Sequence, residues 1–400
     1  AKPLEYWLLI YTFDGNHRKS MAIPMKKMNL QELFGNKDHS PEKEWKTESS
    51  IYRFLLSNLD SEGRLSGVAY NLPDEANDDE EIRFAPGLKD ALFSHGEDDD
   101  SDKIVSELSF LLKKITLHGD KFSEWQFYQL VTDNETVIDV IDELLNTIIS
   151  DSSFHNLHLY SFAKSLATET NKRNAVKFGI ALLGICQDES AIDDIKILGT
   201  HDEFTVYSTV AIMNLSSHPV EDLWELGRKV DGWGKIQLVE RLSEMDLKQE
   251  IRDWLVMDGY KNDIMNEYLA LICPIHGQLD SKLACQQIDD KLFKSASELI
   301  VALIHGDGSS DNIANYPQAA SVIKDFLYHA RLHTKNIADF ITLHTVKDYL
   351  TKLHDAVEEQ HHNGWDQDLI SDCLIDIVEI LKSIDWKPQI HDGLKSQDKQ

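Results

Sequence analysis

Four hundred residues, 42% of them hydrophobic and 27% charged, make an ordinary soluble composition with enough chain for a large core. Acidic residues outnumber basic ones 69 to 40, for a formal charge of −29. That balance argues against nucleic acid and anionic membrane as ligands, because both are polyanions, and it favours a basic partner.

The length allows two to three domains or one elongated repeat array. Residues 1–72 read as a small N-terminal region. "LEYWLLIYTF" is apolar and aromatic, a buried strand or a docked helix. It is too short to span a bilayer, and no signal-peptide cleavage pattern follows it. "NHRKSMAIPMKKM" is the most basic stretch. From Pro73 to Asp102 the runs "PDEANDDEE" and "GEDDDSD" flank one short predicted helix after Pro86. Dense like charge cannot bury enough apolar area to order itself, so 73–102 reads as a partly mobile connection.

From 103 to 387 the apolar period is helical. Ile104, Leu108, Leu111, Leu112 and Ile115 share one face of the first such segment. Between 172 and 276 predicted helices alternate with short turns: "RNAVKFGIALLGIC", "AIDDIKIL", "DEFTVYSTVAIMNL", "VEDLWELGRKV", "GWGKIQLVERL", "KQEIRDWLVM" and "YKNDIMNEYLALIC". The stretches "DGWGKIQLVERL" and "DGYKNDIMNEYL" repeat Asp-Gly-aromatic, then Glu seven residues later, then Leu. Gly232 and Gly259 are expected to close the first helix of each pair through a left-handed backbone. The predicted fold is all-α, an α-solenoid of HEAT-like antiparallel pairs. Residues 388–400 read as a polar tail.

The four cysteines, Cys186, Cys273, Cys285 and Cys373, form no C-x-x-C pair and fit buried thiols of a reducing cytoplasm. P-loop, G-x-S-x-G and G-x-G-x-x-G patterns are absent. Four constellations remain. Trp233 with Glu240 and Tyr260 with Glu267 are each seven apart, with Tyr207 and Asn214 as a preceding rung. These pairs form either a binding stripe for a cationic peptide or core aromatics whose carboxylates hold the turns of the next repeat. In adjacent rungs the two glutamates would repel and raise each other's pKa. "HDEF" places Asp202 and Glu203 at a helix N-terminus, complementing its dipole, with His201 able to sit beside the ladder. His329 and His333 are four apart on one helix face, weak metal candidates in a stretch that also holds His344, His354, His361 and His362. "HGDGSSDN" reads as a loop rather than a Ca²⁺ site, because the terminal Glu is missing.

The helix pairs resemble HEAT- and armadillo-type repeat proteins. The longer stretch "LGTHDEFTVYSTVAIMNL … LWELGRKVDGWGKIQLVERL … WLVMDGYKNDIMNEYLALIC" resembles a family of bacterial cytoplasmic proteins often labelled "limonene hydroxylase", over roughly 150–280. That label implies a metal- or cofactor-dependent monooxygenase. The residues themselves favour a cytoplasmic module that binds a basic protein or peptide through an acidic concave surface, with no cofactor, no catalytic residue and no bound metal.

Overall fold

The computed structural model describes residues 45–74, 86, 101–132, 138–151, 154, 156–306, 312–356 and 364–387. Among these the chain is all-α, as the periodicity predicts. Seventeen α-helices and a few short 3₁₀ turns are joined by loops, and the one β contact is an isolated bridge between Leu59 and Leu65. Among the described residues no helix is long and apolar enough to cross a membrane. The N-terminal apolar and basic stretches, the helix predicted after Pro86, the polar tail and all of the acidic runs but 73–74 and 101–102 lie outside the described residues.

The chain forms two compact units, 1–234 and 235–400. In the first, α1 (Ile51–Ser57) packs on α5 (Asn156–Thr168) and α7 (Ile192–Gly199). Helix α2 (Ser101–His118) packs on α3 (Lys121–Thr132), α4 (Ile138–Ser150) and α5. Then α5 packs on α6 (Arg173–Leu183), α6 on α8 (Asp202–Leu215), α7 on α8, and α8 on α9 (Pro219–Gly227). Several helices thus pack on the next helix in the chain, as α5 on α6 and α7 on α8, and others on the next but one, as α2 on α4 and α6 on α8. A chain of aromatics locks α3, α5 and α6: Phe127 lies edge-on to Phe162 and Phe178, and Trp45 joins Phe162 and Tyr128. Each such ring contributes roughly 1.5–3 kcal/mol by burial. Helix α8 is buried on nearly every face, its apolar side chains interspersed with buried polar ones, Asp202, Glu203, Thr205, Ser208 and Thr209.

The second unit begins within α10 (Trp233–Ser243). It continues through α11 (Gln249–Trp254), α12 (Ile272–His276), α13 (Leu279–Leu283), α14 (Asp290–His305), α15 (Ala319–His333), α16 (Ile337–Asp355) and α17 (Gln367–Ser383). Again neighbours and next-but-one neighbours pack: α14 on α15 and α16, α15 on α17, α16 on α17. Phe293 and Phe326 stack at 5.0 Å between α14 and α15. Asn336 opens α16 with a reciprocal capping box to Asp339.

Two expectations are corrected. Neither Gly232 nor Gly259 has a left-handed backbone; among the described residues the positive-φ glycines are Gly63, Gly119 and Gly364. Helix α9 already ends at Gly227, and Gly232 lies in the turn before α10. What demands glycine there is a close approach, since a Cβ on Gly232 would run into the Asp202 carboxylate. Gly259 instead ends a π-helical turn, Leu255–Gly259, that extends α11.

The second correction concerns 260–273, predicted as one helix. The chain is irregular from 261 to 265, makes a 3₁₀ turn at Asn266–Leu269, and is helical again only at Ile272. Asn262 is the cause. Its side-chain oxygen accepts the N–H groups of Ile264 (3.0 Å) and Met265 (2.8 Å), and its amide donates to the carbonyls of Tyr260 and Met265. A local side chain has replaced the helical partners of that backbone.

Candidate functional site

A buried polar cluster lies in the first unit, where residues 70–74 meet α6 and the start of α8. His201 precedes α8 and is fully buried. The Glu203 N–H donates to its Nδ1 at 3.1 Å, so the ring proton sits on Nε2, which faces the Tyr70 carbonyl at 3.2 Å. Burial pushes its pKa down to about 4, against the pull of the Tyr70 carbonyl and Glu203. The ring is therefore a neutral strut at physiological pH. Asp202 accepts the Gly234 N–H at 3.2 Å, tying the first turn of α8 to the last residue of the first unit. This is the turn-holding role expected of ladder carboxylates, carried by Asp202.

Beside it, Arg173 grips Asp74 through its side chain, with Nη2 at 3.0 Å, and through its backbone N–H at 2.8 Å. Lys177, 3% exposed, meets Glu203 at 2.6 Å and lies 5.5 Å over the Tyr207 ring. The cations and carboxylates of this cluster pair with one another. Chemically it is a clasp that fastens 70–74 to α6 and α8. Its basic members were not foreseen, although a lone Lys within "RNAVKFGIALLGIC" is the signal of a buried, paired cation.

The predicted ladder is distributed differently from its sequence spacing. Tyr207 and Asn214 share α8, but Tyr207 is in the core and the Asn214 Nδ2 is buried without a hydrogen-bond partner. Trp233 and Glu240 share α10. Tyr260 and Glu267 do not share a helix, because Asn262 breaks the chain between them. Tyr260 is fully buried and its hydroxyl donates to the Glu298 carboxylate. Its pKa is raised by that burial and by Glu298. Glu267 stands in the first turn of the 3₁₀ segment.

Glu240 is half-buried, and among the described residues no side-chain hydrogen bond or ion pair meets its carboxyl. Burial pushes its pKa up to about 7, with Glu244 reinforcing and Arg241 opposing. The raised value was expected from repulsion by Glu267; its cause is burial. Lys235, also in α10, is 5% exposed, lies 6.0 Å over the Trp254 ring and reaches the Asp258 carbonyl at 3.4 Å.

His329 is buried and its Nε2 donates to the Leu283 carbonyl at 2.9 Å. His333 stacks on Phe293 and bonds Asp290 through Nδ1 at 2.6 Å. Among the described residues no three His, Cys, Asp or Glu side chains gather as a metal-ligand set. His361, His362 and most of "HGDGSSDN" lie outside the described residues.

A second pattern emerges on the outer surface. Lys164 of α5 pairs with Asp194 of α7 at 3.0 Å, thirty positions on. Lys196 of α7 pairs with Asp222 at 2.7 Å and with Glu225 of α9, twenty-nine positions on. In the second unit Asp253 of α11 pairs with Lys282 of α13, again twenty-nine positions on. Comparison of the chain with protein-family models, with curated proteins and with solved structures finds no match.

Proposed function

We propose that each unit is a stretch of HEAT-like α-solenoid and that the protein is a helical-repeat scaffold binding a basic protein or peptide through its acidic surface. The ion pairs between alternate helices, at a spacing of 29 to 30 residues, carry the repeat reading. A recurring offset between alternate helices is what stacked two-helix repeats produce, although Lys196 also meets Asp222 at 26 positions and Arg331 of α15 meets Asp376 of α17 at 45. The charge of −29 carries the choice of partner, because it attracts cations and repels polyanions. The monooxygenase reading rests on resemblance alone, and both imidazoles that would serve it, His329 and His333, are engaged by protein acceptors.

The test is direct titration. A fluorescent oligolysine peptide of about twenty residues should bind at low salt and lose affinity steeply toward about 150 mM salt. An oligoglutamate peptide and a short DNA duplex should not bind. DNA binding tighter than peptide binding would overturn the reading.

A further inference from the structure

The clasp of the first unit has one side that is built to move. Residues 45–58 are anchored: Trp45 packs on Tyr128 and Phe162, and the N–H groups of Thr47 and Ile51 donate to the Glu169 and Thr170 carbonyls at 2.7 and 2.9 Å. Residues 67–74 form a short arm that begins with a 3₁₀ turn, Gly67–Tyr70. At its base Ser66 and Gly67 are exposed, and a Cβ on Gly67 would meet no atom within 4 Å, so the backbone is free to turn there. Ala69 and Leu72 are buried under the arm. Two polar contacts fasten it, the Tyr70 carbonyl to His201 and the Asp74 carboxylate to Arg173.

His201 is closed in by this arm. The Tyr70 ring lies 6.2 Å from the imidazole, and the Phe204 ring of α8 lies 5.7 Å from it. The two ring nitrogens have opposite roles: Nδ1 accepts the Glu203 N–H, and Nε2 donates to the Tyr70 carbonyl. Only the neutral ring fills both. A proton on Nδ1 would set N–H against N–H, the ring would have to turn, and turning takes Nε2 away from the arm. The carboxylates around the ring are already committed. Asp74 of the arm pairs with Arg173 of α6, Glu203 of α8 pairs with Lys177 of α6, and Asp202 accepts the Gly234 N–H. With the arm lifted, the imidazole meets water and ionises as an ordinary histidine. The closed arm therefore selects the neutral ring and the open arm the charged one, so protons favour opening.

We propose that residues 67–74 are an acid-released arm, hinged at Ser66 and Gly67, that lifts from α6 and α8 when His201 takes a proton while the helices beneath stay folded. Lifting also frees Arg173 from Asp74. The proposal does not depend on which partner the scaffold takes.

Hydrogen exchange of the full chain, resolved to single amides and corrected for the intrinsic effect of pH, tests it between about pH 7.5 and 3.5. Two amides report the arm: the Ala69 N–H, bonded to the Ser66 carbonyl at 2.9 Å, and the Arg173 N–H, bonded to the Asp74 carboxylate at 2.8 Å. Amides in the middle of α8 report the unit as a whole. The arm's opening constant should be flat above pH 6.5, rise about tenfold per pH unit below it, and level off near pH 4. That levelling should coincide with the titration midpoint of the His201 ring, read from its NMR signals in the parent. The α8 amides should stay about tenfold or more better protected than the arm down to about pH 5. His201→Asn keeps an acceptor for the Glu203 N–H and does not titrate, so its arm should open equally at every pH between about 7.5 and 5. Asp74→Asn should open the arm more at every pH and keep the slope. Arm and α8 amides that exchange in step would mean that the unit opens only as a whole, which overturns the proposal. So would a parent arm whose opening does not change with pH, a slope that persists in His201→Asn, or a ring that titrates at a different pH from the arm.

Discussion

Glu240 and His201 are both pushed toward their neutral forms, and they bend stability with pH in opposite directions. Glu240 is an acid whose pKa rises from 4.5 to about 7 in the fold. Its stability contribution is present below 4.5 and is lost as pH climbs through about 7. His201 is a base whose pKa falls from 6.5 to about 4. Its contribution is present above 6.5 and is lost as pH drops through about 4. Each acts with a slope of about 1.4 kcal/mol per pH unit within its window. Between 4.5 and 6.5 the slopes oppose, so the parent hides both. Glu240→Gln removes one of them. The variant should match the parent near pH 4.5 and exceed it by about 1–3 kcal/mol near pH 8. Urea unfolding at several pH values measures this. A variant less stable than the parent near pH 8 would mean that a cation holds the carboxylate in its charged form.

At the level of elements, the two Asp-Gly turns look alike in sequence and do different work. A Cβ at Gly232 meets the Asp202 carboxylate, whose bond to the Gly234 N–H holds the turn after α9 against the start of α8. The nearest atoms to a Cβ at Gly259 are Leu255 and Trp254 side-chain carbons, at 3.1 and 3.3 Å. Gly232→Ala should therefore cost about 1–3 kcal/mol and Gly259→Ala less than about 1 kcal/mol. Adding Asp202→Ala to Gly232→Ala should cost less than the sum of the single changes, because both break the same contact. Equal melting temperatures for the two glycine variants would return both turns to a common role. The same pair of turns marks the limit of what the sequence carries. Helices with a full apolar period were legible almost to the residue: "DEFTVYSTVAIMNL" is α8. The stretch 260–273 has the same period, with Tyr260, Ile264, Tyr268 and Ile272 at steps of four, yet it is not one helix. Periodicity reports which faces want burial; it does not report that Asn262 will bond its own neighbours instead. The ladder failed at that point, since its third pair depended on an unbroken helix. The ion pairs of the outer surface were illegible for another reason: each joins residues about thirty positions apart, and no local pattern distinguishes a paired lysine from a solvated one.

At the scale of the whole molecule, one number governs two salt effects of opposite sign. The charge of −29 is spread over a chain in which some basic residues are drawn into local pairs, such as Lys196 with Asp222 and Arg173 with Asp74, while acidic residues outnumber basic ones 69 to 40. What remains is long-range repulsion among carboxylates. At about 10 mM salt the screening length is roughly 30 Å, enough for charges across a domain to act on one another; at about 150 mM it is roughly 8 Å. Close pairs are weakened by salt too, but exposed pairs contribute only about 0–1 kcal/mol each and the half-buried ones are poorly screened. Repulsion should dominate. The melting temperature should rise as sodium chloride is raised from about 10 to about 150 mM. Over the same range the association rate of a cationic peptide should fall, because the field that destabilises the fold is the field that steers the partner in. A calorimetric melt and a stopped-flow association measurement, made in the same buffers, follow the two together. A melting temperature that falls with salt would mean that the ion pairs between alternate helices, rather than the net charge, dominate the electrostatics. Lys164–Asp194 and Lys196–Glu225 in the first unit, and Lys282–Asp253 in the second, would then be main sources of cohesion between alternate helices.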